Sequence, residues 1–146
     1  MKFVLMTPQN STSGSNSWWT IKAASPFPAI SDIDTSISGI VFNEAGAVEE
    51  SNLSSIAGGV AGTDRIAVPE IAGTEIEIDC NDLSDFLRTE AAASGFSLSR
   101  IAFFNAGGSL GDQSAAVKIE GQNTYLTGLM LGSRADGTKP SDDFLN

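Results

Sequence analysis

Glu75, Glu77 and Asp79 recur at a spacing of two along Thr74-Glu75-Ile76-Glu77-Ile78-Asp79-Cys80, which on a strand sets three carboxylates on one side and Ile76, Ile78 and Cys80 on the other. Such a row can take a cation or pair with basic residues of a partner. It can equally face water, and that is the favoured reading. Acid–base work by paired carboxylates needs one raised and one ordinary pKa, and no neighbouring residue supplies an apolar pocket for only one of them. Cys80 is the single cysteine, so no internal disulfide forms. The chain has no histidine, which removes a Ser–His–Asp triad, a Cys–His pair and any His-ligated metal site within one chain. Without such an activator, Cys80 reads as a buried small hydrophobe.

Two other stretches start like known chemistry and fail. Asp32-Ile33-Asp34-Thr35-Ser36-Ile37-Ser38-Gly39 opens like a calcium loop, but Ile37 stands where the loop needs glycine. Asn43 stands where it needs a bidentate acid, with Glu44 one place late. Gly58-Gly59-Val60-Ala61-Gly62 lacks the lysine and hydroxyl residue of a phosphate loop. No catalytic residue, metal or cofactor is expected. Trp18 and Trp19 are adjacent, so on a strand one ring must point away from the core. A partner subunit, a carbohydrate or the preceding loop would have to cover it.

The elements that position these residues follow from periodicity. Ser, Ala, Gly and Thr number 19, 17, 15 and 10, together 61 of 146 residues, a composition suited to close backbone approach and broad contacts. Residues 9–17 are a polar, low-complexity stretch that reads as a flexible loop. Trp18–Ala23 reads as a weak strand, and Pro26 and Pro28 fix an extended turn. For residues 30–42, Ile30, Ile33, Ile37 and Ile40 fit a helical face. The β-branched and serine content and Gly39 favour a strand. A short helix is expected within residues 44–56, stopped at Gly58-Gly59. The clearest unit is strand–helix–strand. Thr74–Cys80 is the first strand. A helix capped by Asn81 or Asp82 follows, with Leu83, Phe86, Leu87 and Ala91 as its apolar face and Gly95 at its end. Phe96–Phe104 is the return strand. Ala115–Glu120 and Thr124–Leu131 are expected to pair as a hairpin through Gly121-Gln122-Asn123. No internal repeat is evident. The expected class is α+β: a mainly antiparallel sheet, sandwich-like or single, with one or two short helices. Residues 1–29 form an N-terminal arm, 30–133 a globular domain and 134–146 a tail, with Phe144-Leu145 as a docking hook or a frayed end.

The chain carries 18 acids and 8 bases, a net charge of −10. The acids are an ordinary share and the bases are few, so the imbalance reads as solubility through self-repulsion. Nucleic-acid binding would need clustered Lys and Arg, and a DNA mimic would need denser rows of carboxylates. No run approaches the roughly 18 apolar residues of a spanning helix. Only four apolar residues follow Lys2 before Thr7-Pro8, short of a secretory signal. No membrane partner is expected.

Small size, acidic charge, small-residue richness and the polar stretch at 9–17 together resemble small bacteriophage virion proteins, of the capsid decoration (cement) or tail accessory type. The resemblance implies a non-enzymatic subunit, located in the virion, that stabilises a lattice by packing. Its partners would be other structural proteins, chiefly the major capsid protein, and it would be a homo-oligomer. Arms at 1–29 and 134–146 would then reach neighbours, with Phe3, Leu5, Trp18, Trp19, Phe27, Phe144 and Leu145 as contact residues. The alternative is a carbohydrate- or cell-surface-binding module that stacks sugars on Trp18, Trp19 and Tyr125.

Overall fold

A computed structural model describes residues 8–56, 60–61, 63–67, 70–107 and 115–140. The pairings among its strands are mostly parallel and follow one repeating path. Strands β1 (Ser11–Ser13) and β2 (Asn16–Lys22) form an antiparallel hairpin that turns at Gly14. The chain then runs past Ile30 to β3 (Ser36–Ser38). An insertion follows, carrying two short antiparallel pairs. In these, β4 (Ser55–Ile56) pairs with β7 (Ile71–Ala72) and β5 (Val60–Ala61) with β6 (Ile66–Ala67). The path resumes with β8 (Ile76–Asp79), β9 (Leu87–Thr89) and β10 (Ser97–Ser99). It repeats with β11 (Ile101–Phe104), β12 (Val117–Ile119) and β13 (Tyr125–Thr127), and begins once more with β14 (Met130–Leu131).

Each round stacks on the one before. One face is the sheet β1-β2-β8-β11-β14, the second is β3-β10-β13, and the third is β9-β12, extended by the parallel bridge from Ile30 to Thr89. The register Trp19–Ile76–Ile101 marks the same place in successive rounds. The architecture is therefore a short three-faced parallel β-solenoid, whose rounds we call rungs. Backbone bonds continue the stacking around the corners: the Phe27 N–H donates to Phe86 O (2.7 Å), and the Phe86 N–H donates to Ala115 O (3.2 Å).

The corners explain why this sequence coils. Asp34, Gly95 and Asn123 occupy equivalent corners two residues before β3, β10 and β13, and all three have left-handed φ (54°, 74° and 54°). Glycine, asparagine and aspartate adopt that conformation at least cost. The next corner aligns Gly39, Arg100 and Gly128. A Cβ at Gly39 would stand 1.8 Å from the Arg100 carbonyl oxygen, so the close stacking there requires glycine.

The interior is one apolar column that includes Trp19, Ile76, Ile78, Phe86, Leu98 and Phe103. The first sheet is buried on its outer side as well, where Trp18, Ala102, Met130 and Ala135 form a second cluster. Burial on both faces accounts for the unbroken apolar run Ile101–Phe104.

The expected α+β class with an antiparallel sheet is overturned. The described residues contain no helix, and apart from the opening β1–β2 hairpin the faces of the solenoid are parallel. Asn81 and Asp82 do not cap a helix: both have left-handed φ (51° and 58°), as does Asp85 (46°), and they turn a corner. The helix-like spacing of Leu83, Phe86 and Leu87 comes from filling that corner and entering β9, whose Leu87 and Thr89 point inward around a half-buried Arg88. No helix forms in 44–56, where Phe42 bridges Val48 in antiparallel fashion, and Gly58-Gly59 lies outside the described residues. The expected return strand Phe96–Phe104 is two strands, β10 and β11, on different faces with a corner at Arg100 between them. The expected hairpin of 115–120 with 124–131 is a corner as well. Its strands β12 and β13 lie on different faces and pair with β9 and β10. Two further readings change. Residues 9–17 are hairpin rather than loose chain. A repeat is also present: Asp34-Thr35-Ser36-Ile37-Ser38-Gly39-Ile40, Gly95-Phe96-Ser97-Leu98-Ser99-Arg100-Ile101 and Asn123-Thr124-Tyr125-Leu126-Thr127-Gly128-Leu129 superpose in register.

Candidate functional site

Strand β8 places Ile76, Ile78 and Cys80 inward, as its alternation predicts. Of its two carboxylates Asp79 is half-buried, and Glu77 does not face water at all. Glu77 is 0% exposed, and its oxygens accept from Arg134 Nη2 (2.8 Å) and Nε (3.2 Å), from the Ala135 N–H (2.8 Å) and from the Thr20 hydroxyl (2.8 Å). Arg134 stacks over Phe104 at 5.1 Å from the ring centroid. Ala135 O accepts from Asn52 Nδ2 (2.9 Å) and the Thr74 N–H (3.3 Å). Residues 132–138 thus form a strap across the outer face of the first sheet. It covers Trp18, the ring that alternation turns away from the core. Trp19 lies inside the solenoid, so the chain's own atoms bury both tryptophans.

Asp79 caps the turn after β8, accepting from the Asn81 N–H (2.9 Å) and Asn105 Nδ2 (3.1 Å). Cys80 is fully buried, and that burial, reinforced by the charge of Asp79, pushes its thiol up to about 12. A thiol so far from ionisation is a poor nucleophile at neutral pH. Among the described residues no group of three or more cysteine, aspartate and glutamate side chains is arranged to hold a metal ion. The described residues hold no helix long and apolar enough to cross a membrane.

The apolar surface concentrates at the ends of the solenoid and on the insertion. At the first rung a cavity of about 470 Å³ opens into the interior, lined by Ile21, Ala23, Phe27, Ile37, Ile78 and Phe86. Phe27 is half-exposed at its mouth and meets Phe86 edge-on, with centroids 5.9 Å apart. At the other end, Leu126 and Leu131 stack in register on Leu98 and Phe103. The two inner residues are fully buried, whereas Leu126 is 47% and Leu131 56% exposed. The insertion adds exposed Leu53, Ile66 and Ile71, and Tyr125 is exposed on β13.

Of the contact residues read from the sequence, Phe27 stands at the open end of the first rung. Trp18 and Trp19 are interior, and Phe3, Leu5, Phe144 and Leu145 lie outside the described residues. Sequence reasoning missed Leu126 and Leu131 as end-of-column residues. The heptapeptide repeat was the signal, since it marks Ile37, Leu98 and Leu126 as one inward column. It also missed the pairing of Glu77 with Arg134, for which no local pattern exists. No protein-family model, curated protein or solved structure matches this chain.

Proposed function

We propose that the chain is a non-enzymatic structural subunit of a virus particle, a decoration subunit that stabilises a capsid lattice by packing on the major capsid protein and on copies of itself. The observation that carries this reading is the state of the two solenoid ends. A stack of parallel rungs needs a polar cap at each end to remain a free monomer. Here the β1–β2 hairpin closes only the first sheet, so the apolar interior still opens beside Phe27 at that end, and the other end finishes in exposed Leu126 and Leu131. Such surfaces fit burial against protein. The chemistry agrees: the one thiol is suppressed, and the most buried carboxylate among the described residues, Glu77, holds the strap.

Light scattering of the purified chain, paired with imaging of particles that carry it, tests the proposal. An oligomer, with density for the chain on the outside of the shell, is the expected result. A monomer at all concentrations, with the chain missing from purified particles, overturns it.

A further inference from the structure

The closing end of the solenoid is not flush. The round β11-β12-β13 is complete, and β14 begins another that neither of the other two faces continues among the described residues. Strand β14 therefore projects one strand spacing, about 4.8 Å, beyond β12 and β13. Both β13 and β14 end their sheets, and among the described residues no strand pairs with the outer edge of either. The two edges meet at the Gly128 corner. Leu126 on one and Leu131 on the other stack above buried Leu98 and Phe103, so the step carries both open backbone edges and an apolar floor.

This shape selects among the ways in which copies could meet. In a head-to-tail stack β14 would lie against β1 of the next copy. Because β1 and β14 both project on the same face, the other two faces would stay two strand spacings, about 10 Å, apart, and Leu126 would remain uncovered. A two-fold rotation about an axis through the Gly128 corner fits instead. It exchanges the first and second faces, so the projecting β14 of each copy fills the step beside β13 of the other. The paired strands run antiparallel, and the contact closes on itself. Leu131 of each copy then covers Leu126 of the other.

Charge favours the same surface. Residues 115–131 carry Lys118 and Glu120 as their only charged side chains, and these two pair at 3.6 Å. The closing end is thus locally neutral in a chain of net charge −10. With a screening length of about 8 Å at physiological salt, the local charge is what an approaching copy meets.

We propose that the closing end docks a second copy of this chain in a closed two-fold dimer, held by antiparallel pairing of β14 with β13 and by the shared cluster of Leu126 and Leu131. This inference rests on the reading of the chain as a packing subunit. It names the end that a second copy takes and leaves the Phe27 end to another protein.

Light scattering of the whole chain over a range of concentrations tests it, with the double variant Leu126→Lys/Leu131→Lys and the opening-end variant Phe27→Lys measured alongside. Tryptophan fluorescence reports whether each variant keeps Trp18 and Trp19 buried. The mass is expected to level off at that of a dimer. The double variant should weaken association by about tenfold or more, and Phe27→Lys should leave it unchanged. Thr127→Cys, exposed beside the axis, should cross-link the dimer under mild oxidation, whereas the buried Cys80 of the parent should not. That cross-link decides the matter if the double variant fails to fold. A mass that grows without a ceiling, undiminished association of a folded double variant, an equal loss in Phe27→Lys, or a dimer that Thr127→Cys does not cross-link overturns the proposal. A monomer still found on purified particles sinks the dimer while leaving the packing reading in place.

Discussion

Arg134 closes on Glu77 through two hydrogen bonds, 2.8 and 3.2 Å long, across 57 residues of sequence. The carboxylate is wholly buried, while the guanidinium side chain keeps 34% of its exposure. The pair holds the strap over Trp18, and its energetics are asymmetric: removing one partner strands a charge, whereas removing both does not.

Arg134→Ala should therefore destabilise the fold by about 3 kcal/mol. Adding Glu77→Gln to it should recover part of that loss, because the stranded charge is gone. Urea unfolding of the two single variants and the double variant measures the coupling. Additive losses would show that the pair contributes nothing as a pair.

Position in the column decides the cost of truncation. Leu98→Ala empties a filled interior site and should cost about 3 kcal/mol, while Leu126→Ala, at the half-open end, should cost about 1 kcal/mol. Thermal and chemical unfolding of the two variants give the ratio.

Gly39→Ala is expected to cost on the order of 3 kcal/mol or more, since its Cβ would collide with the Arg100 carbonyl. Arg100→Gly, at the same corner one rung on, should leave the melting temperature unchanged or raise it. Relief of left-handed strain there offsets the added freedom of the unfolded chain. A loss in Arg100→Gly comparable to that in Gly39→Ala would contradict the corner alignment.

The pH dependence of Glu75 has a definite sign. Burial, with smaller opposing contributions from the Asn52 and Ser51 N–H groups, raises its carboxyl above 4.5. The native state then holds a proton that the unfolded chain releases, so this group's stabilisation is present below 4.5 and lost as pH rises through the native value. Glu75→Gln removes the effect. The melting temperature of the variant relative to the parent should climb as pH is raised from about 4 to about 7; a flat difference would refute it.

Cys80, with a thiol near 12 and no exposure, should resist a disulfide-exchange reagent in the native protein at pH 8 or below. Labelling should proceed at the rate of unfolding, and rapid native-state labelling would place the thiol elsewhere.

Strand β8 was legible because its alternation is strict; the apolar run Ile101–Phe104 marked β11 as extended chain, but nothing in it showed that the strand read over Phe96–Phe104 breaks at Arg100 into β10 and β11 on different faces. Helices were read where Asn81, Asp82 and Asp85 stand because residues that cap helices are also those that tolerate left-handed corners. The apolar spacing of Leu83, Phe86 and Leu87 imitates a helical face for the same reason. Parallel stacking left its mark only in the heptapeptides at 34–40, 95–101 and 123–129. Their separation is uneven because the long insertion falls between the first and the second. Glu77 was read as solvent-facing, since its partner lies far along the chain and alternation says only which side a residue takes, not what covers that side.

The β1–β2 hairpin ends the first sheet with an antiparallel strand, while β14 leaves the opposite edge unpaired by any later rung among the described residues. That gives the stack a direction. The hairpin blocks a further parallel rung on its side, whereas the β14 side still offers a template of matching polarity. A designer lengthening this scaffold would splice complete rounds of the 95–101 type next to Leu131 and leave the opening hairpin as a fixed terminator.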